Sequence, residues 1–161
     1  MIRAATDADA GAIADIYNYY VTDTLVTFEE EPISASEIAR RIHQVQSAGL
    51  PWLVAEENGV ILGYAYATPW KPRSAYRFSV EGSMYVDFAH LGCGTGSLLF
   101  AELLSALRDR NVHALIAGVS LPNEASVALQ EKFGLSKVAH FSQVGFKFGK
   151  WIDVGYWQRL L

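Results

Sequence analysis

The segment Tyr85-Val86-Asp87-Phe88-Ala89-His90-Leu91-Gly92-Cys93-Gly94-Thr95-Gly96 constrains this chain more than any other. It leads through three alternating glycines into Leu98, Leu99, Leu103, Leu104 and Leu107, a spacing that predicts a helix. Glycine admits backbone conformations closed to other residues, and the first amides of a helix have no internal partner. A strand, a glycine turn and a helix start in that order can hold an anion such as a phosphate. The same arrangement also serves as a plain helix start, so the motif alone leaves both readings open. A phosphate loop of the Walker type needs Lys and then Ser or Thr after its last glycine, whereas Ser97-Leu98 follow Gly96. A dinucleotide fingerprint would need glycine where Ser97 stands, and it would open a βαβ unit. Both are disfavoured.

The flanking sequence predicts the frame. Ile2 and Ala4 make a short apolar start, and Asp7 is placed to cap a helix with the apolar face Ile13, Ile16, Tyr17 and Tyr20. Ser34 and Glu37 form a capping box for a second helix, where Ile38, Ile42 and Val45 repeat until Gly49 stops the run. Pro51 to Ala55 and Val60 to Ala67 flank Asn58-Gly59, which predicts a β-hairpin. Phe78 to Val86 reads as a strand, and Ala114 to Val119 as a buried one. Asn123 opens a helix carrying Val127, Leu129 and Phe133 that ends at Gly134, and 138–148 and 151–161 close the chain as strands. The class is α/β, with a mixed, mostly antiparallel sheet flanked by helices. No linker, repeat or low-complexity tract intervenes, so residues 1–161 read as one domain.

Charge and cysteine use narrow the function. Lys+Arg number 13 against Asp+Glu 17, with no basic block, which argues against a nucleic-acid partner. An anionic ligand must then be held by local geometry rather than by a global field. No stretch approaches the roughly 20 apolar residues of a membrane span, and the N-terminus lacks a leader pattern, so no membrane association is expected. The single Cys93 excludes a disulfide scaffold, and a cytoplasmic location is the expectation. With one Cys and four histidines lacking ligand spacing, no metal site is expected. His43 and His113 read as ordinary surface or edge residues.

The glycine segment resembles the pyrophosphate loop of the GCN5-related N-acetyltransferase (GNAT) superfamily, Gln/Arg-x-x-Gly-x-Gly/Ala, over Leu91-Gly92-Cys93-Gly94-Thr95-Gly96. Ordered segments are similar to the phosphinothricin acetyltransferase branch over essentially the whole chain. They are Ile16-Tyr17-Asn18, Thr27-Phe28-Glu29-Glu30, Arg73-Ser74-Ala75-Tyr76-Arg77, Val80-Glu81, Asn123-Glu124-Ala125-Ser126 and Gly149-Lys150-Trp151-Ile152-Asp153-Val154. The resemblance implies a GNAT-type acyl-CoA N-acyltransferase fold, acetyl-CoA as co-substrate, a small amino-acid-like amine as acceptor, and a homodimer. Leu91 stands where the family usually has Gln or Arg, and Cys93 where a basic residue is frequent, so backbone amides must carry more of the pyrophosphate. Cys93 itself is either a small filler or a thiol beside the CoA sulfur.

Acetyl transfer to an amine needs a neutral amine, a polarised thioester carbonyl and protonation of the departing thiolate. The resemblance places the general base at Glu81, whose neighbours Val80, Gly82 and Met84 are apolar or small enough to desolvate it. It gives the backbone of Met84, Tyr85 and Val86 to the pantetheine arm and the thioester carbonyl. The tyrosine that protonates the thiolate in many members is replaced by Gln130, while His140 is a second acid/base candidate. Asn123 is read as a CoA contact as well as a cap, and Phe28, Glu29, Arg73 and Tyr76 as the acceptor side. Two alternatives remain at this stage: a CoA-binding sensor module without catalysis, and an N-acetyltransferase for another amine.

Overall fold

Seven strands form one sheet in the computed structural model, which describes residues 1–161. The chain runs β1 (Ile2–Ala4), α1 (Ala10–Asp23), α2 (Ala35–Ser47), β2 (Trp52–Glu57), β3 (Val60–Pro69), β4 (Ser79–Val86) and α3 (Thr95–Arg108). It continues through β5 (Ala114–Leu121), α4 (Glu124–Lys132), β6 (Ser136–Lys147) and β7 (Lys150–Leu160). The strand order is β1-β2-β3-β4-β5-β7-β6, and only β4 and β5 pair in parallel. The mixed, mostly antiparallel α/β architecture expected from the sequence is therefore the one observed.

Local chemistry explains the boundaries. The β2–β3 turn needs two left-handed residues, and Asn58 and Gly59 supply them with φ of 51° and 81°. Ser34 Oγ accepts the Glu37 N–H at 3.2 Å, capping α2. The Glu37 carboxylate turns instead to Arg40 and Arg41, so only half of the expected capping box forms. Asp7 does not cap α1 as expected. It lies in a short 3₁₀ turn, Asp7–Asp9, and pairs with His43 Nε2 at 2.8 Å. Asp9 stands at the N-cap of α1 but makes no side-chain cap bond, because two other groups converge on its carboxylate. Arg3 of β1 reaches it with two nitrogens at 2.7 and 2.8 Å, and the Thr6 N–H donates to it at 2.8 Å. Hydrogen bonding to Arg3, chiefly, holds that carboxyl down at about 2.

Two apolar layers sandwich the sheet. On one face Leu99, Leu103 and Leu107 of α3 pack against Ala65, Ala67, Val80, Leu115 and Ala117, all 2% exposed or less. On the other, Ile13 and Val21 of α1 and Ile38 and Ile42 of α2 pack against Trp52, Val54 and Tyr64. Each large side chain so buried contributes roughly 1.5–3 kcal/mol. Because α1 and α2 rest on β2, β3 and β4, their layer ends where β5 begins.

That edge coincides with a parting of strands. The parallel β4–β5 ladder holds only Ser79↔Ala114, Val80↔Leu115 and Glu81↔Ile116. Beyond Glu81, β4 stays paired to β3 as far as Val86, and β5 to β7 as far as Leu121, but not to one another. A wedge opens in the middle of the sheet.

Candidate active site

Strand alternation decides what faces this wedge. The Trp70 N–H bonds to the Ser79 carbonyl and the Asp87 N–H to the Leu62 carbonyl, both on the β3 side. With a period of two, the main-chain groups of Gly82, Met84 and Val86 turn the other way, toward the space that β5 has vacated. The Val86 carbonyl is taken by the Tyr20 hydroxyl, while Met84 has no ladder partner from β5. An extended, amide-bearing chain laid in the wedge would find these groups at sheet spacing. Beside it Gln130, 8% exposed, has an Oε1 without a hydrogen-bond partner, in a small hollow also lined by Met84, Tyr85, Ser120, Asn123 and Ser126.

The glycine turn closes one end of the wedge. Gly92 and Gly94 hold φ of 77° and 85°, and nothing lies within 4 Å of where a Cβ would stand on either. The first α3 bond runs from the Leu98 N–H to the Gly94 carbonyl, leaving the Thr95, Gly96 and Ser97 amides without an intrahelical partner. Gly96 faces inward, its Cβ position 3.4 Å from Met84 Cε. Leu91 is 52% exposed and Cys93 is an exposed free thiol. The sequence reading missed a nearby cation. Lys132, at the end of α4, donates to Ser97 Oγ at 2.9 Å, which places an ammonium beside the first turn of α3.

The opposite face of the wedge carries a cavity of about 460 Å³ lined by Val26, Thr27, Phe28, Glu81, Ser83, Tyr85, Gly118, Ser120, Phe141, Val144, Val154 and Tyr156. Glu81, Ser83 and Tyr85 are alternate β4 residues, so one strand face presents all three. Gly118 makes room for the Tyr156 ring, since a Cβ there would stand 3.1 Å from Tyr156 Cε1, with Glu81 Oε1 at an ordinary 3.5 Å. Burial raises the Glu81 carboxyl above the ordinary range, and the Lys71 ammonium pulls the other way. Burial and the Glu81 charge both raise the Tyr156 phenol. A half-buried carboxyl with a raised pKa, facing a cavity, is the kind of group that can exchange a proton with a molecule held there.

The other expected residues divide. Phe28 lines the cavity with its ring against Gly145, where a Cβ would come within 2.5 Å of it. Glu29 stands behind that wall, its carboxylate held by Arg41 at 2.7 and 3.3 Å. Asn123 caps α4, accepting the Ser126 N–H at 3.1 Å, and also lines the small hollow that holds Gln130. Arg73 and Tyr76 lie in the β3–β4 loop, on an exposed 3₁₀ turn, Ser74–Tyr76, and its N-cap, outside the cavity lining. His140 alternates with the cavity residue Phe141 and points to the opposite sheet face. There Nε2 pairs with Asp153 Oδ2 at 2.8 Å and Nδ1 with Lys137 Nζ at 2.9 Å. The reading in sequence order missed Ser83, Gly118, Phe141 and Tyr156. Ser83 follows from the period-two step after Glu81, whereas Tyr156 arrives only through its pairing with Gly118.

No group of three or more His, Cys, Asp or Glu side chains is placed to hold a metal, and no helix is long and apolar enough to cross a membrane. The sequence profile of the acetyltransferase (GNAT) domain matches residues 2–155. The chain belongs to the GNAT acetyltransferase family. It is 41% identical over 158 residues to a phosphinothricin N-acetyltransferase of Streptomyces viridochromogenes, spanning 98% of this chain and 86% of that protein. It is 37% identical over 157 residues to an L-methionine sulfoximine/L-methionine sulfone acetyltransferase of Salmonella typhimurium, spanning 98% and 92%. Two solved GNAT structures superpose along its full length. A ribosomal-protein-alanine N-acetyltransferase from Brucella melitensis gives a TM-score of 0.98 at 39% identity, with 99% of that chain covered. The yncA acetyltransferase of Salmonella typhimurium, solved with acetyl-CoA, gives 0.97 at 37% identity, with 93% covered. This GNAT protein is thus an acetyl-CoA-dependent N-acetyltransferase.

Proposed function

We propose that the protein transfers acetyl from acetyl-CoA to the α-amine of a small amino-acid-like acceptor, of the phosphinothricin or methionine sulfoximine type, by direct attack with Glu81 as general base. The observation that carries this reading is the half-buried Glu81 carboxyl in the cavity against the β4–β5 wedge. The named acceptors of the two curated relatives support the acceptor class.

In this reading the residues divide the work. Leu91, Gly92, Cys93, Gly94, Thr95 and Gly96 seat the pyrophosphate through main-chain N–H groups, with Lys132 supplying the nearby positive charge that Leu91 and Cys93 lack. Met84 and Val86 present main-chain groups to the pantetheine arm, whereas Tyr85, expected with them, turns its main chain to the β3 ladder; Asn123 and Gln130 line the hollow beside the arm. Acetyl-CoA supplies the activated acyl group. Glu81 takes a proton from the incoming ammonium, directly or through a water, and passes it on to solvent; the amine attacks the thioester carbon, the C–S bond breaks, and the proton then shed by the new amide nitrogen converts the departing CoA thiolate to the thiol. Phe28, Phe141 and Tyr156 wall the acceptor and exclude water, while Arg73 and Tyr76 stand on the exposed β3–β4 loop outside that lining. The same reading takes the enzyme as a cytoplasmic homodimer, in keeping with its free Cys93 and with exposed Phe146, Phe148 and Trp151 on the β6–β7 hairpin.

Free-thiol release from acetyl-CoA across a panel of amino-acid analogues tests the proposal. Turnover should be fastest with methionine sulfoximine or phosphinothricin and absent with their N-methylated, carboxyl-amidated derivatives. Turnover confined to peptide N-termini would overturn the acceptor class, and CoA binding with no thiol release above background for any amine would favour the binding module without catalysis.

A further inference from the structure

Residues 24–34, between α1 and α2, form no helix or strand, yet Val26, Thr27 and Phe28 build one wall of the Glu81 cavity. An irregular segment has no ladder to satisfy its carbonyls, so side chains elsewhere must do so. Ser120 of β5 donates to the Leu25 carbonyl at 2.7 Å, and the Tyr17 hydroxyl meets Thr27 Oγ1 at 2.8 Å. The remaining tie is unusual. Lys147, the last residue of β6, is 0% exposed and donates its ammonium to the Thr27 carbonyl at 2.7 Å and the Tyr20 carbonyl at 3.5 Å. No carboxylate pairs with it within 4.0 Å, Glu30 acting only from farther off. A buried ammonium is costly, and three donors on one flexible stem are what a pair of carbonyls can use. Its base is rigid, because Phe148 and Gly149, with φ of 53° and 71°, close the β6–β7 hairpin immediately after it. Two positions earlier on the same strand, Gly145 receives the Phe28 ring.

We propose that Lys147 is a positioning residue: through the Thr27 carbonyl it fixes the Thr27–Phe28 wall and so sets how tightly the acceptor is held. This rests on reading the Glu81 cavity as the acceptor site. Lys147→Met keeps the length of the side chain and removes its donors. In the full-length enzyme the acceptor KM should rise roughly fivefold to tenfold, with kcat and the acetyl-CoA KM within about twofold of wild type. Amide hydrogen exchange should accelerate at residues 24–29 and stay unchanged in β2 and β3. Gly145→Ala, which pushes on the Phe28 ring and leaves Lys147 in place, should show the same KM-specific change. Should Lys147→Met fail to fold, Lys147→Gln, with a shorter uncharged donor, is measured in the same way. An acceptor KM within twofold of wild type in the folded variant, or exchange accelerated throughout the chain, overturns the proposal. If wild type acetylates no amino-acid analogue, the acceptor reading fails instead, and the localised exchange still reports on Lys147.

Discussion

Alanine at Gly94 and alanine at Gly96 should have opposite consequences, although the two glycines sit two residues apart. Gly94 holds φ of 85° with open space around its Cβ position, so a side chain there is strained without colliding. Keeping a non-glycine residue left-handed costs roughly 1–2 kcal/mol, which at this chain length lowers Tm by roughly 2–8 °C. If the loop relaxes instead, the Thr95, Gly96 and Ser97 amides swing off their common target. Losing one or two hydrogen bonds to a charged group, at roughly 1.5–3 kcal/mol each, weakens CoA binding by a factor on the order of 10 to 10,000. A branched side chain at 94 sharpens both effects. Gly96 has no positive φ, and its Cβ would meet Met84 Cε at 3.4 Å, an ordinary contact. Gly96→Ala should therefore leave Tm unchanged or slightly raised and CoA affinity near wild type, since alanine is favoured within a helix. Calorimetric titration with CoA, paired with thermal unfolding, reads both quantities. A folded Gly94→Val protein with wild-type CoA affinity would falsify the assignment of the loop to the pyrophosphate.

Two other changes test neighbouring features. Leu91→Arg should tighten CoA binding and Lys132→Met weaken it, each by roughly threefold to tenfold at low salt, with the differences shrinking as ionic strength rises; salt-independent values would show that neither position faces the phosphates. Asp9→Asn should cost on the order of 2 kcal/mol at neutral pH, the worth of a carboxyl held at about 2 against an ordinary 3.8. A depressed carboxyl contributes its stability above the unfolded value and loses it as pH falls from about 4 to about 2. The mutant and wild-type unfolding curves should therefore converge at pH 2, and a constant gap would contradict the Arg3–Asp9 pairing as its source.

Much of the frame was legible because it is written in local chemistry. Asn58-Gly59 demands a tight left-handed turn, Ser34 offers an oxygen to a helix start, and the α3 leucines recur at helical spacing. Asp7 misled because its carboxylate pairs with His43 of α2, while Asp9, at the N-cap position, gives its carboxylate to Arg3 of the edge strand rather than to the helix amides. The glycine cradle was visible as a pattern, whereas Lys132 became part of it only through α4 packing against α3. Glu81 was singled out from its neighbours, but the walls of its cavity come from β5, β6, β7 and an irregular loop. Tyr156 lies 75 positions after Glu81 and meets it across Gly118, a juxtaposition set by the β5–β7 register. The parting of β4 and β5 after Glu81 has no local signature, since both strands continue with ordinary strand composition.

The pH profile of Glu81→Gln tests the central claim most directly. Glutamine keeps size and hydrogen bonding and removes basicity, so turnover with the best acceptor should fall by roughly 10²–10⁴ at pH 7 while the acetyl-CoA KM stays near wild type. In wild type, kcat/KM should rise with pH through a carboxyl value above the ordinary 4.5, and that limb should vanish in the mutant. The mutant should regain part of its loss as pH rises and the acceptor amine deprotonates unaided. Stability supplies an independent sign. Because burial raises the folded carboxyl, the unfolded chain loses its proton first. Wild type is therefore as stable as the mutant below about pH 4.5 and loses ground to it as pH climbs through the raised value. The account predicts a mutant that is slower yet more stable at neutral pH; a Glu81→Gln enzyme with wild-type turnover from pH 6 to 9 would contradict it.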